Sequence, residues 1–435
     1  MKNSRLISTL YLIVVLFLPG SCSGDEEYNE DEIKVSERQL QTFTQGTVGF
    51  CYNPPTIVNN YIYIGTSRGE PYAPAIDNSF FKLDASLNKI WEYSLGPNEV
   101  TGSATLDKIG NIYFVVNEGR IINNLGSSIN KIYSLDKDGK FRWSRSIDNR
   151  GNAFFNNPAI SVDDVIYIGG DKFYAFDING NEIWSYAVPY KIFNAPIIDP
   201  EGNIYFKSEN KVISLDKNGN NRWIYTIEVD YGPSSTAFSV DYSKIFVPGT
   251  NIMYCLRTSD GNKLWEYTIP DMIGKGVFRA TPAVDDHDNI YIGTHWKGEG
   301  DAGQQTLYAI KSDGSGTLWK NVIGADLYSS PALGNDRVVY IGSECGNEGP
   351  KHSRLHAIDM ATGATIWSAQ LGLDVTYSSP AISNNGTLYI ASMDMYTEGG
   401  ERGMVYSFRT NSTGLLSGAG SPRFHEGNSS TGRRE

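Results

Sequence analysis

Ser330-Pro331-Ala332-Leu333 leads to Tyr340-Ile341-Gly342, then to His356-Ala357-Ile358-Asp359 and, through the turn Thr362-Gly363, to Trp367. The first three of these elements recur eight times in the chain of 435 residues, and a period of about 40 to 50 residues marks propeller blades. The aromatic of the second element is Tyr63, Tyr113, Tyr167, Tyr205, Phe246, Tyr291, Tyr340 or Tyr389. Seven copies then reach a tryptophan: Trp91, Trp143, Trp184, Trp223, Trp265, Trp319 and Trp367. Each copy alternates apolar and polar residues with period two and is punctuated by hairpin turns such as Asp216-Lys217-Asn218-Gly219. No long stretch shows a helical period. Four short strands per copy predict an all-β fold, an eight-bladed β-propeller of four-stranded antiparallel blades. A parallel solenoid is the structural alternative, but it would need polar capping repeats that the sequence lacks.

The eighth copy has no tryptophan strand. Upstream of the first copy, Leu40-Gln41-Thr42-Phe43-Thr44-Gln45-Gly46 runs into Asn53-Pro54-Pro55-Thr56-Ile57 as the tryptophan strands run into the copies that follow them. Phe43 stands 48 residues before Trp91, one repeat length. The expectation is that this N-terminal strand completes blade eight and closes the ring.

With 45 Gly, 27 Tyr and 8 Trp in a chain that is 40% hydrophobic, turn formers and strand formers dominate, which excludes disorder, coiled coil and collagen. The formal charge of −12 argues against a nucleic-acid binder, which needs a basic face. Lys2 and Arg5 precede the apolar run Leu6 to Leu18, which is too short for the ~20 residues of a bilayer span and has the length of a secretory signal. Loss of residues 1–21 takes Lys2 and Arg5 away and the charge from −12 to −14. The acidic run Asp25 to Glu32 has almost nothing to bury, so residues 22–36 read as a solvated tether and 37–435 as a single propeller.

Pro19-Gly20-Ser21-Cys22 resembles the cleavage box of bacterial lipoproteins, in which Cys22 becomes the lipidated first residue. The acidic residues after it resemble the surface-export signals of Bacteroidetes lipoproteins. A secretory signal cut elsewhere and a plain charged linker are the alternatives. The resemblance implies an exported chain, lipid-anchored to the cell envelope, at the outer membrane on its periplasmic face or at the cell surface.

Ala357-Ile358-Asp359-Met360-Ala361-Thr362-Gly363-Ala364-Thr365-Ile366-Trp367 resembles the pyrroloquinoline-quinone (PQQ) repeat, and so does the terminal run Pro422 to Gly432. The resemblance covers about residues 40 to 432. It implies that the repeat tryptophans are structural, docking against neighbouring blades. Quinone-dependent dehydrogenases of this superfamily hold PQQ against a disulfide between adjacent cysteines, with Ca²⁺ on carboxylate and Asn ligands. No adjacent cysteines occur here, which argues against PQQ and against an enzyme. The chain is instead similar to the non-enzymatic members, including the propeller lipoprotein of the outer-membrane β-barrel assembly machine, an interaction scaffold. The expectation is therefore no cofactor, with Ca²⁺ left open as the alternative. Cys51, Cys255 and Cys345 give no disulfide framework, and Cys255 reads as a small buried hydrophobe. His295 and His352 lack the third partner a zinc site needs.

The copies are unequal in one interval. From the second-strand aromatic to the aliphatic residue of the third strand there are 9 or 10 residues in copies three to five, and 18 to 22 in the other five. In a closed ring blades six, seven, eight, one and two are consecutive, so the insertions form one crescent on one face. Its candidate binding residues are Arg68, Glu70 and Tyr72 on blade one, and Arg120 on blade two. Blade six adds His295, Trp296, Lys297, Glu299 and Asp301. Glu344, Glu348 and His352 follow on blade seven, and Asp394, Tyr396 and Glu398 on blade eight. The primary expectation is a non-catalytic envelope lipoprotein whose crescent contacts envelope proteins and which meets the membrane through its lipid anchor alone. The alternative is a carbohydrate-binding or carbohydrate-processing propeller using Tyr72, Trp296 and Tyr396. No catalytic, cofactor-binding or metal residue is assigned.

Overall fold

Each Ile-Tyr-Ile-Gly segment becomes the second strand of a sheet and is buried on both faces, as in Ile166–Gly169 and Val338–Ser343. The computed structural model describes residues 38–45, 49–50, 53–67, 77–118, 129–148, 156–188, 190, 192, 194–228, 232–272, 276–296, 305–344, 353–371, 375, 377–393 and 403–434. These form eight antiparallel sheets in an eight-bladed propeller. Blade four is typical: Ile197–Ile198 lies innermost, then Ile204–Ser208, Lys211–Leu215 and, at the rim, Asn221–Thr226. Burial falls along that order, and the fourth strand Thr317–Val322 of blade six alternates half-buried with exposed residues. Blades two and six carry a short extra strand, Glu99–Val100 and Gly276–Phe278, contributed by the connector that enters the blade.

The second-strand tyrosines also fasten the first hairpin. Tyr113, Tyr205, Tyr291 and Tyr340 donate their hydroxyls to Asp107, Asp199, Asp285 and Asp336 at 2.6–3.0 Å. A buried phenol thus finds an acceptor without leaving the apolar space between blades. Cys255 lies in the third strand of blade five, fully buried and unpaired, and burial pushes its thiol up to about 12.

Neighbouring blades interlock through one repeated contact. The indoles of Trp91, Trp143, Trp184, Trp223, Trp265 and Trp319 lie on Gly139, Gly180, Gly219, Gly261, Gly314 and Gly363 of the next blade, where a Cβ would stand 2.5–2.7 Å from ring carbon. All six glycines have positive φ. Where measured, the indole N–H donates into the same hairpin, as from Trp143 to the Ile178 carbonyl at 3.0 Å and from Trp223 to that of Thr258 at 2.8 Å. The two remaining junctions differ together with the chain path. Blade eight takes its outer strand from Gln39–Gln45, paired antiparallel with Gly403–Arg409, and so has no hairpin glycine. There Trp367 meets the Arg38 guanidinium, 5.3 Å from its ring centroid. That outer strand offers Phe43 in place of a tryptophan, and the hairpin facing it carries Leu87 (φ 62°) where others have glycine.

Residues 416–434 run along the axis-facing edges of the inner strands. The second residue of seven inner strands donates its N–H to this tail. Ile57 bonds Asn428 O, Ile160 bonds Thr431 O, Ile198 bonds Gly432 O, Val284 bonds Ser421 O and Leu333 bonds Pro422 O, all at 2.6–2.9 Å. Phe238 bonds Ser421 Oγ at 2.7 Å and Ile382 bonds Asn428 Oδ1 at 3.2 Å. Arg423, 1% exposed, donates to the carbonyls of Pro55 on blade one and of Ser379 and Pro380 on blade eight, and to Gly427.

Two measurements test these interlocks. Gly219→Ala and Gly202→Ala both place a side chain at positive φ (84° and 85°), but the first Cβ meets Trp184 at 2.7 Å and the second only Lys217 at 3.5 Å. Gly219→Ala is expected to lower the unfolding free energy by about 2–4 kcal/mol and Gly202→Ala by about 1 kcal/mol. Equal losses in urea titrations would show that the indole is not held there. Arg423→Met removes a buried cation bonded to four carbonyls and is expected to cost about 3 kcal/mol or more; a loss below about 1 kcal/mol would contradict that role.

Candidate functional site

Antiparallel alternation places the second-to-third-strand loops on the same face as the connectors that lead into each inner strand. Short pairings join the two sets: Gly49 with Ser67, Asp326 with Glu344, and Val277 with His295. The strand ends that flank the insertions and the connectors therefore lie at the same end of the channel.

At that end Pro54, Asn157, Pro233, Arg279, Thr281, Tyr328, Ser330, Tyr377 and Ser379 line a recess, and Phe424 of the tail completes its wall. Residues from six blades can meet only on the axis. Its volume is ≈ 30 Å³, room for about two waters.

The recess wall is tied together blade to blade. The backbone N–H groups of Ala195, Ser235, Thr281 and Ser330 each donate to a hydroxyl oxygen of the following blade, on Ser235, Thr281, Ser330 and Ser379, at 2.9–3.1 Å. On the crescent side His295 approaches Tyr328 Oη with Nε2 at 3.2 Å, and the Tyr328 and Tyr377 rings lie 4.8 Å apart. Asp326 Oδ1 lies 3.1 Å from His295 Nδ1, within ion-pair reach but off hydrogen-bond angle, and accepts from Gln305 Nε2 at 3.0 Å. Burial, then the Tyr377, Asp326 and Glu344 side chains, raise the Tyr328 phenol well above its ordinary range, so it stays a neutral donor.

Of the predicted crescent, the structure brings His295 and Glu344 together through Asp326, whose backbone exchanges two 2.8 Å bonds with Glu344. The backbone of Trp296 ends the second strand of blade six, opposite Gly276. Arg68, Glu70, Tyr72, Arg120, Lys297, Glu299, Asp301, Glu348, His352, Asp394, Tyr396 and Glu398 lie outside the described residues, as do Cys22, Cys51, Cys345 and the whole of 1–37. Among the described residues the one trio with metal-ligand spacing is Asp285, Asp286 and His287, on a hairpin of the opposite face. Asp285 accepts from Asn289 and Tyr291, and Asp286 holds Arg337 through two 2.7 Å bonds, so both carboxylates serve the turn and the blade junction. For a fused-ring quinone the recess is too small, and the sequence has no adjacent cysteines to back it.

Arg279, Tyr328, Tyr377 and the tail residues escaped the sequence reading, because they belong to connectors and a terminus rather than to the repeat. The available signal was Pro422 to Gly432, a repeat-like run with no strands after it. In the channel His425 is fully buried and neutral and donates its Nε2–H to Pro196 O at 3.0 Å; burial lowers its pKa to about 3. Glu426 takes the Ser421 hydroxyl at 2.7 Å, and burial raises its pKa from 4.5 to about 8.

A ring of eight sheets built from PQQ-type repeats is a β-propeller of the PQQ-repeat class. Residues 132–369, more than half the chain, match the family model described as outer membrane protein assembly factor BamB, and the chain belongs to that family. In fold it is similar to BamB from Moraxella catarrhalis, with TM-score 0.59, 13% identity, and coverage of 86% of this chain and 99% of that one. It is similar also to a europium-containing methanol dehydrogenase (TM-score 0.64, 13% identity, 88% and 95% covered) and to the C-terminal WD40 domain of Sif2 (0.58, 8%, 85% and 97%). No curated protein matches the sequence. Among the described residues no helix is long and apolar enough to cross a membrane.

The tail makes stability depend on pH. Folded Glu426 keeps a proton that the unfolded chain releases above 4.5, so its contribution is full below that pH and is lost as pH rises to about 8. His425 and His356, both lowered to about 3, act oppositely: their contribution is full above 6.5 and is lost as pH falls through 3. Thermal midpoints of the native chain should therefore fall between pH 6 and ~8, whereas Glu426→Gln should hold level there; parallel profiles would refute the buried acid.

Proposed function

We propose that this chain is a non-catalytic, lipid-anchored scaffold of the bacterial cell envelope that holds partner proteins at its crescent face. The observation that carries the reading is the match of residues 132–369 to the outer membrane assembly factor family. The chemistry supports it. Carboxylates such as Asp107 and Asp286 serve turns and blade junctions, and the chain's own tail runs along the axis. The intervals lengthened in the sequence belong to five consecutive blades, so a partner held by them would bridge several blades with little movement of the ring. Export and anchoring rest on the Leu6 to Leu18 signal and Cys22.

Two linked measurements test this. Cys22→Ser should shift the protein from the membrane to the soluble envelope fraction, and its unchanged recovery with membranes would remove the anchor. Shortening the 297–304, 345–352 and 394–402 loops together, with the ring's thermal midpoint preserved, should reduce co-purified envelope proteins at least tenfold. Undiminished recovery would defeat the crescent as the contact face.

A further inference from the structure

The recess on the propeller axis gathers several hydrogen-bond donors beside apolar walls. Thr281, Ser330 and Ser379 each accept a backbone N–H through the hydroxyl oxygen. A hydroxyl has one hydrogen to give, and none of the three gives it to a described acceptor, so three O–H groups stand available at the wall. Beside them lies Arg279. Its Nε is buried with no hydrogen-bond partner, and the described residues supply no ion pair to its guanidinium. Other basic side chains at blade junctions behave differently: Arg337 is held by Asp286, Lys244 by Asp288 and Arg423 by four carbonyls.

A desolvated guanidinium nitrogen without an acceptor costs free energy unless an anion completes it. Arg279 therefore marks a place where an acceptor from outside the chain fits. The chain's formal charge of −12 makes an unneutralised cation in a narrow polar opening the more selective, since the field around it repels anions that find no such fork. The opening is ≈ 30 Å³, which suits one planar head of a few atoms. A carboxylate has that size, takes the guanidinium edge-on through two oxygens, and can accept the remaining hydroxyls. Apolar walls at Pro54, Pro233 and Phe424 favour a carboxylate carried on a short aliphatic stem.

We propose that the axial recess is a carboxylate-binding site in which Arg279 forms the charged fork and Thr281, Ser330 and Ser379 supply hydroxyl donors. The site stands whether or not the chain is an envelope scaffold. Its carboxylate comes either from a small free acid or from the C-terminus of a peptide segment, and both use the same contacts.

The test uses the folded mature chain at constant ionic strength, with chloride as the balancing anion. ¹³C-acetate line broadening should saturate and give a dissociation constant at least tenfold weaker for Arg279→Gln, with Arg279→Lys between the two. An acetylated tetra-alanine peptide with a free C-terminus should compete, whereas its C-terminal amide should not. Saturable acetate binding assigns the site to small acids; binding of the free-carboxylate peptide alone assigns it to a peptide terminus. Absence of both, or equal binding by Arg279→Gln with an unchanged thermal midpoint, would overturn the proposal. The crescent-shortened protein should bind acetate as the full chain does, so failure here and failure of the scaffold reading are separable.

Discussion

A propeller leaves one row of backbone groups without a natural partner. Each inner strand is paired on its outer side by the second strand, and its other edge faces the axis, where eight such edges converge. An unpaired buried N–H is costly, and water can serve these groups only if the channel stays wet. Here seven of the eight edges give an N–H to the chain's own C-terminal tail. The tail does this with a conformation that it could not hold alone: His425, Glu426 and Ser430 all have φ between 51° and 70° without being glycine. Such residues persist only where their surroundings over-determine them.

The same tail bears on the weakest point of a closed ring, the junction of last blade and first. Arg423 spans it from Pro55 to Ser379 and Pro380, and Asn428 bonds Ile57 on one side and Ile382 on the other. The N-terminal strand crosses the same junction at the rim, with Phe43 packed 5.3 Å from Phe81 of blade one. Both ends of the chain thus converge on one seam, at opposite radii. Ring opening there would have to break an outer strand pairing and an inner hydrogen-bond set together.

The blades were legible in the sequence because their chemistry repeats. An aromatic between two aliphatics, a glycine in a hairpin and a tryptophan ten residues after a third-strand alanine, as from Ala357 to Trp367, carry their own period. The exchange of Trp for Phe43 and of Gly for Leu87 at the same junction shows how local that code is: when the indole goes, the glycine that made room for it goes too. The recess was not legible. Arg279, Tyr328 and Tyr377 stand in three connectors 49 residues apart, two residues before Thr281, Ser330 and Ser379. Only closing the ring places these equivalent positions in one wall. Of the predicted crescent, His295 and Glu344 fall where the second strands end, so the structure joins them; the residues further into the loops lie beyond what it describes.

Plugging decides what the axis can do. A channel open at both ends conducts solvent and offers a cofactor two faces, whereas here Phe424 of the tail walls a recess at the connector end. Donors accumulate there for a geometric reason: three successive connectors turn a backbone N–H toward the hydroxyl oxygen of the next blade, which leaves each hydroxyl its hydrogen to give. The periodicity that builds the ring thus creates an anion-friendly surface at its centre, and a single departure from periodicity, an arginine at position 279 where the next two blades have Tyr328 and Tyr377, turns that surface into a charged site.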